Sequence, residues 1–203
     1  MPKDDNPRPI LPSSVSPCTG CGLCMSVCGQ NAISMEENAE GFLVAEVNEA
    51  ACIGCRACEK MCARLAKVGG SGEHRFYEGW SLTPEIRCGS SSGGVFSELA
   101  LDCIRRGGVV YGVAMRGADF SRFVAVEREE DLHLLRGSKY LQADTGDVFL
   151  QMAAALKTGH PVLFAGVSCQ VRAARVPGNG TTICCWWIWR VSAHRVGMCG
   201  GVS

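Results

Sequence analysis

The chain has 203 residues, of which 47% are hydrophobic, and its 20 Lys and Arg balance 20 Asp and Glu. That length holds one ordinary domain, or a small one joined to part of a larger one, with enough apolar residues for a core. A formal net charge of zero advertises no polyanion-binding surface and argues against a nucleic-acid partner.

The N-terminal stretch MPKDDNPRPILPSSVSPC sets prolines and acids where a secretory signal needs a basic start and an unbroken apolar run. No later stretch reaches the length of a membrane span. A cytoplasmic protein is expected. Its 14 cysteines then point to metal ligation or redox chemistry rather than to disulfides.

Two runs carry eight of those cysteines. CTGCGLCMSVCG holds Cys18, Cys21, Cys24 and Cys28, CIGCRACEKMCA holds Cys52, Cys55, Cys58 and Cys62, and both have the spacing C-x2-C-x2-C-x3-C. Three cysteines spaced by two residues can wrap a loop around one iron–sulfur cubane. The fourth, a helical turn further on, faces away and serves the cluster of the opposite repeat. The spacing therefore predicts two [4Fe-4S] clusters, one on Cys18, Cys21, Cys24 and Cys62, the other on Cys52, Cys55, Cys58 and Cys28. Gly20, Gly22 and Gly54 let the backbone approach the sulfides. A pair of zinc knuckles is the alternative, and it leaves the three-plus-one periodicity unexplained. Between the runs, AISM and GFLVAEV read as a hairpin covering the clusters.

Residues 67–84 are Gly-rich and aperiodic and are expected to be a linker. Beyond them the pattern changes. VFSELALDCIRRG predicts a helix with Val95, Leu99 and Cys103 on one face beside Phe96 and Ile104, and TGDVFLQMAAALKTG predicts a second. VVYGVA, RFVAVE and PVLFAG predict strands, the last one buried, so a sheet covered by helices is expected.

Three motifs in this part carry possible chemistry. CGSSSGG, residues 88–94, stands at a helix start, where it is either a phosphate-binding turn or an ordinary serine N-cap. RGSKYLQAD, residues 136–144, offers Lys139 and Tyr140 or is a solvated turn. AGVSCQ, residues 165–170, puts Cys169 just past a strand end, where sites in α/β sheets gather, or holds a small buried thiol.

A two-cluster ferredoxin unit over residues 15–66, followed in order by Ser-Ser-Ser-Gly-Gly, Gly-Ser-Lys-Tyr and a strand ending in Cys-Gln, resembles the coenzyme F420 hydrogenase/dehydrogenase beta-subunit family. The resemblance covers about residues 15–172. It implies an α+β chain: a two-cluster ferredoxin-like domain, then a truncated α/β flavin-binding domain over residues 85–172. It also implies FAD beside the clusters, electron exchange with a soluble hydride carrier such as coenzyme F420, and a redox partner protein or subunit. Ser90, Ser91, Ser92, Gly93 and Gly94 would then contact the flavin phosphate, and Lys139 and Tyr140 would line the flavin pocket. The chain departs from the family at Gly29 and Ala63, where proline usually follows the fourth cysteine, and at Val167-Ser168, where Thr-Pro usually precedes Cys-Gln. The rival expectation is a ferredoxin-like electron carrier whose α/β segment docks a partner and holds no flavin.

Residues 173–203 are of a different kind. GTTICCWWIW, residues 180–189, holds three of the four tryptophans. Read two bases out of frame, residues 183–188 become Leu/Met-Leu-Leu-Val-Asp-Leu/Met, a buried strand ending in aspartate. An out-of-frame tail is therefore expected, one that does not complete the sheet PVLFAG begins. An aromatic interface belt and an aromatic cofactor platform are the competing readings.

Overall fold

The computed structural model describes residues 18–62, 64–65 and 78–175, and the backbone of a strand at 185–188. The first unit is small. A short helix α1 (Leu23–Ser26) follows Cys21, and the hairpin β1 (Ile33–Glu37) and β2 (Leu43–Val47) pairs in antiparallel register with Ile33 opposite Val47. Helix α2 (Ala57–Met61) ends at Cys62. Each repeat turns through left-handed backbone just before its helix, at Gly22 (φ 72°) in the first and Arg56 (φ 59°) in the second. Ile33 and Ala45 of the hairpin are buried against Cys24 and Cys58, so the hairpin does lie over the cysteines.

The second unit has a four-stranded sheet whose strands lie in the spatial order Phe120–Val126, Val109–Arg116, Val162–Gly166 and Cys185–Ile188. Helix α3 (Pro84–Cys88) leads into α4 (Val95–Arg105), and β3 (Val109–Arg116) and β4 (Phe120–Val126) form an antiparallel pair. A 3-10 helix (Glu129–Leu135) and α5 (Val148–Lys157) follow, and β5 (Val162–Gly166) lies parallel to β3. Helix α6 (Ser168–Ala174) closes the described run and so passes the expected boundary at residue 172.

Both faces of the sheet are covered, as runs of consecutive buried residues such as Val109, Val110 and Tyr111 require of a central strand. One core joins Tyr111, Phe123, Phe149, Met152, Phe164 and Val171, and the other joins Ala100, Leu101, Val110, Leu132 and Leu163. Leu23 of α1 belongs to the first of these cores, so the two units share apolar contacts. The face that α4 buries differs from expectation: Ser97, Ala100, Leu101 and Cys103 are its buried residues, while Phe96, Leu99 and Ile104 pack partly buried around them. The stripe is centred on the small residues Ser97 and Ala100, which allow the helix to lie close to the sheet.

Two expectations need correction. Residues 78–83, assigned to the linker, are not a free tether. Ser81 N donates to Gly93 O at 2.6 Å and Ser81 Oγ hydrogen-bonds Glu98, tying the segment to the start of α4. Residues 67–77 lie outside the described residues. The tail does extend the sheet: β6 (Cys185–Ile188) pairs in parallel with β5, Leu163 opposite Cys185 and Gly166 opposite Ile188. The open edge of β5 presents unpaired N–H and C=O groups, and an extended apolar segment satisfies them.

Candidate redox and cofactor site

The cysteines gather as two sets. Cys28, Cys52, Cys55 and Cys58 line one small cavity of about 90 Å³. Cys62 adds its charge to those of Cys18 and Cys21 around Cys24, so the last cysteine of the second run stands with the first three of the other. Gly20 N lies 3.4 Å from Cys18 Sγ, Gly54 N 3.4 Å from Cys52 Sγ and Ala32 N 3.3 Å from Cys28 Sγ, so backbone amides already point at ligand sulfurs. Gly20 (φ 64°) and Gly54 (φ 69°) reach this geometry through left-handed backbone.

Burial, with smaller additions from neighbouring thiolates, pushes the Cys24 thiol up to about 12 and raises Cys21 and Cys58. Such thiols ionise only against a positive partner, and iron supplies one. The three-plus-one spacing of the two runs, with Cys28 beside Cys52, Cys55 and Cys58 and Cys62 beside Cys18, Cys21 and Cys24, fits clusters better than zinc.

Beside the set of Cys18, Cys21, Cys24 and Cys62 opens a cavity of about 440 Å³, within the range of small-molecule and cofactor sites. Ser90, Ser91, Ser92 and Gly94 line it from the start of α4, and Arg136 and Lys139 from the loop after the 3-10 helix. Val113, Leu135, Leu163 and Phe164 supply apolar wall. Thr19, between Cys18 and Cys21, lines it too, as do Cys169 and Gln170.

The serine loop is not an ordinary serine N-cap. The N-cap is Gly94 (φ 83°), and no side chain caps the helix. Ser90 Oγ donates to Ile86 O, and Ser91 Oγ accepts from Ser138 N at 3.1 Å, which joins the serine loop to the Lys139 loop. Gly93 faces the other way: a Cβ there would come 2.9 Å from Gly79 O and 3.2 Å from Trp80, so this glycine is demanded by the strap at 78–83 rather than by the cavity.

Lys139 Nζ donates to Arg136 O at 2.7 Å, and burial holds its pKa below the ordinary lysine value. Tyr140, expected in the same pocket, is 93% exposed and does not line the cavity, because successive residues of an extended loop point to opposite sides. Cys169 is only partly buried, with Sγ 4.0 Å from Thr19 O, so it is neither a packed core thiol nor remote from the first cysteine set. Thr19, Arg136, Gln142 and Gln170 lie inside the motifs CTGC, RGSKYLQAD and AGVSCQ but are given no role there, because those motifs are singled out for their other residues.

Two family profiles match the sequence: 4Fe-4S dicluster domain over residues 17–66, and Coenzyme F420 hydrogenase/dehydrogenase, beta subunit N-term over residues 76–149. The chain is thus similar to a dicluster domain over its first part and to the N-terminal domain of the coenzyme F420 hydrogenase/dehydrogenase beta subunits after it. No curated protein matches it. The dicluster match takes in all eight cysteines of the two runs, and the beta-subunit match takes in Ser90–Gly94 and Lys139. The β5–α6 wall of the cavity, with Cys169 and Gln170, lies past its end. The pairing of domains is that of an electron-transfer oxidoreductase, and no helix among the described residues is long and apolar enough to cross a membrane.

Proposed function

We propose that this dicluster beta-subunit chain is the electron-transfer subunit of an oxidoreductase that binds FAD in the cavity beside the Cys18–Cys21 loop and serves a soluble hydride carrier of the coenzyme F420 type. When bound, the clusters would supply one-electron transfer and the flavin its conversion to two-electron hydride chemistry.

One observation carries the proposal. Thr19 lies between Cys18 and Cys21 and lines the same cavity as Ser90, Ser91, Ser92 and Lys139. A cavity at this place puts its occupant against the loop that would hold the nearer cluster, on Cys18, Cys21, Cys24 and Cys62. The set on Cys28, Cys52, Cys55 and Cys58 includes the exposed Cys55 and suits exchange with a partner protein.

The residues supply the binding chemistry. Ser92 Oγ has no partner among the described residues, and the first amides of α4 point out of the helix beside it, so an anionic group is favoured there. Arg136 and Lys139 add positive charge, and Leu163 and Phe164 add apolar wall, which excludes water. This combination suits a phosphate joined to a ring better than an empty docking surface.

The test is anaerobic reconstitution with iron, sulfide and FAD, followed by gel filtration. About eight iron and eight sulfide with about one FAD per chain is the expected result. Iron and sulfide without flavin would favour the rival carrier function, in which the beta-subunit domain only docks a partner.

A further inference from the structure

Gln170 is the one polar side chain at the β5–α6 turn that is both buried, at 6% exposed, and on the cavity wall. Its Oε1 accepts from Val167 N at 3.0 Å. A backbone N–H can only donate, so that end of the carboxamide is the oxygen and the other end is the NH2 group, whatever the density of neighbouring contacts. The NH2 group has no partner among the described residues. A buried amide donor left without an acceptor is costly, and Gln170 lines the cavity, where an occupant could supply one.

The surroundings make room for it. A Cβ on Gly166 would come 2.9 Å from Gln170 Oε1 and 3.0 Å from Phe164, although Gly166 has ordinary backbone that other residues could adopt. Glycine is needed there for space. Phe164 is fully buried, stacked on Phe123 at 5.1 Å between ring centroids and 7° between planes, so the core behind the amide is fixed. Thr19 and Cys169, in contact with each other, line the same cavity. None of the cavity's cations belongs to this set; Arg136 and Lys139 stand instead with Ser97 and the serine loop.

We infer that Gln170 is a ligand-positioning residue whose free amide donates to an acceptor atom on the rim of a planar heteroaromatic ring, holding that ring against the Thr19–Cys169 contact. This deepens the flavin proposal and rests on it. Apolar lining from Val113, Leu163 and Ala165 with one buried donor and no cation suits a ring that carries a carbonyl or ring-nitrogen acceptor better than a phosphate.

The test separates ring from phosphate on the full, cluster-loaded chain. Gln170→Met keeps the length and most of the packing and removes the donor, and Gly166→Ala displaces the carboxamide while leaving it in the sequence. Binding is read with riboflavin, which has the ring without phosphate, and with ADP, which has phosphates without the flavin ring. Both variants should bind riboflavin about tenfold more weakly than the parent and bind ADP as the parent does. The infrared carbonyl bands of bound riboflavin should shift between parent and Gln170→Met. Equal loss for riboflavin and ADP would mean that Gln170 only holds the turn, and unchanged riboflavin affinity and bands would mean that it touches no ring; either overturns the inference. A parent chain that takes up no riboflavin and no FAD overturns the flavin proposal and this inference with it, whereas a parent that binds both with indifferent variants overturns the inference alone.

Discussion

Leu43 and Gln142 hydrogen-bond each other twice: Leu43 N donates to Gln142 Oε1 at 2.6 Å, and Gln142 Nε2 donates to Leu43 O at 3.0 Å. A side-chain amide thus stands in for a strand partner on β2, across 99 residues of sequence. With Leu23 in the core of the beta-subunit domain, this pair fixes how the dicluster domain meets the cavity. Gln142→Leu leaves both backbone groups of Leu43 unpaired and should cost about 1–3 kcal/mol, read as a lower melting temperature. Gln142→Glu keeps one acceptor and should cost less. Equal melting of all three proteins would show that the domains are held by apolar contact alone.

Under the proposed crossed ligation a distant residue decides the nearer cluster. Cys62→Ser should damage the cluster held by Cys18, Cys21 and Cys24, and Cys28→Ser the one held by Cys52, Cys55 and Cys58. Mössbauer and EPR spectra of the two variants should therefore lose different signals. Loss of the Cys52–Cys55–Cys58 cluster in Cys62→Ser would refute the crossed sets.

What could be read in advance followed from periodicity and metal-ligand spacing. The cysteine spacing, the hairpin, and α4, β3, β4, α5 and β5 all announce themselves locally, because a helix or strand needs its own apolar face. The cavity did not, since it is made by residues far apart, Thr19 from the first cysteine loop and Gln170 from the turn after β5. Tyr140 and Gly93 sit inside the expected motifs yet face away from the cavity, because a motif fixes a segment and the backbone then decides which of its side chains turn inward.

Gly93 and Gly94 should respond differently. Gly94 (φ 83°) is left-handed, so Gly94→Ala strains the start of α4 by about 1–2 kcal/mol and shifts the amides that face the cavity. Gly93→Val acts through Gly79 and Trp80, pushing the 78–83 strap off the loop. Both should lower flavin occupancy without loss of iron. Only Gly93→Val should also raise protease sensitivity at residues 78–83, checked by limited proteolysis and mass spectrometry.

If Lys139 holds an anionic group of the proposed flavin, binding should depend on alkaline pH. Burial disfavours its charge, so its pKa in the folded chain lies below the ordinary 10.5. In the window between the two values the unfolded chain holds the proton and the folded chain does not, so stability without ligand rises with pH there. Binding of an anion needs the proton and should weaken over the same window, with Arg136 supplying the charge that remains. FAD titrations should show affinity falling as pH rises toward 10.5, and Lys139→Met should bind about tenfold more weakly and lose the slope. A parent with flat affinity would remove Lys139 from the phosphate site.

The pairing of β6 with β5 gives the tail a measurable role. Parallel strand pairing uses backbone groups, so it accepts either Cys-Trp-Trp-Ile as read or the Leu-Leu-Val-Asp of the shifted frame. Ending the chain after Arg175 removes β6 and uncovers the edge of β5, whose Val162, Leu163 and Phe164 are buried. The shortened protein should aggregate sooner and melt lower than the 203-residue chain. If it is as soluble and as stable, residues 176–203 add nothing to the sheet, which is how an out-of-frame sequence behaves. The DNA sequence across codons 170–190 then separates the two cases: a corrected frame through Leu-Leu-Val-Asp would replace the tryptophan-rich strand with a selected one, and confirmation of the present frame would make Cys185–Ile188 the native edge of the sheet.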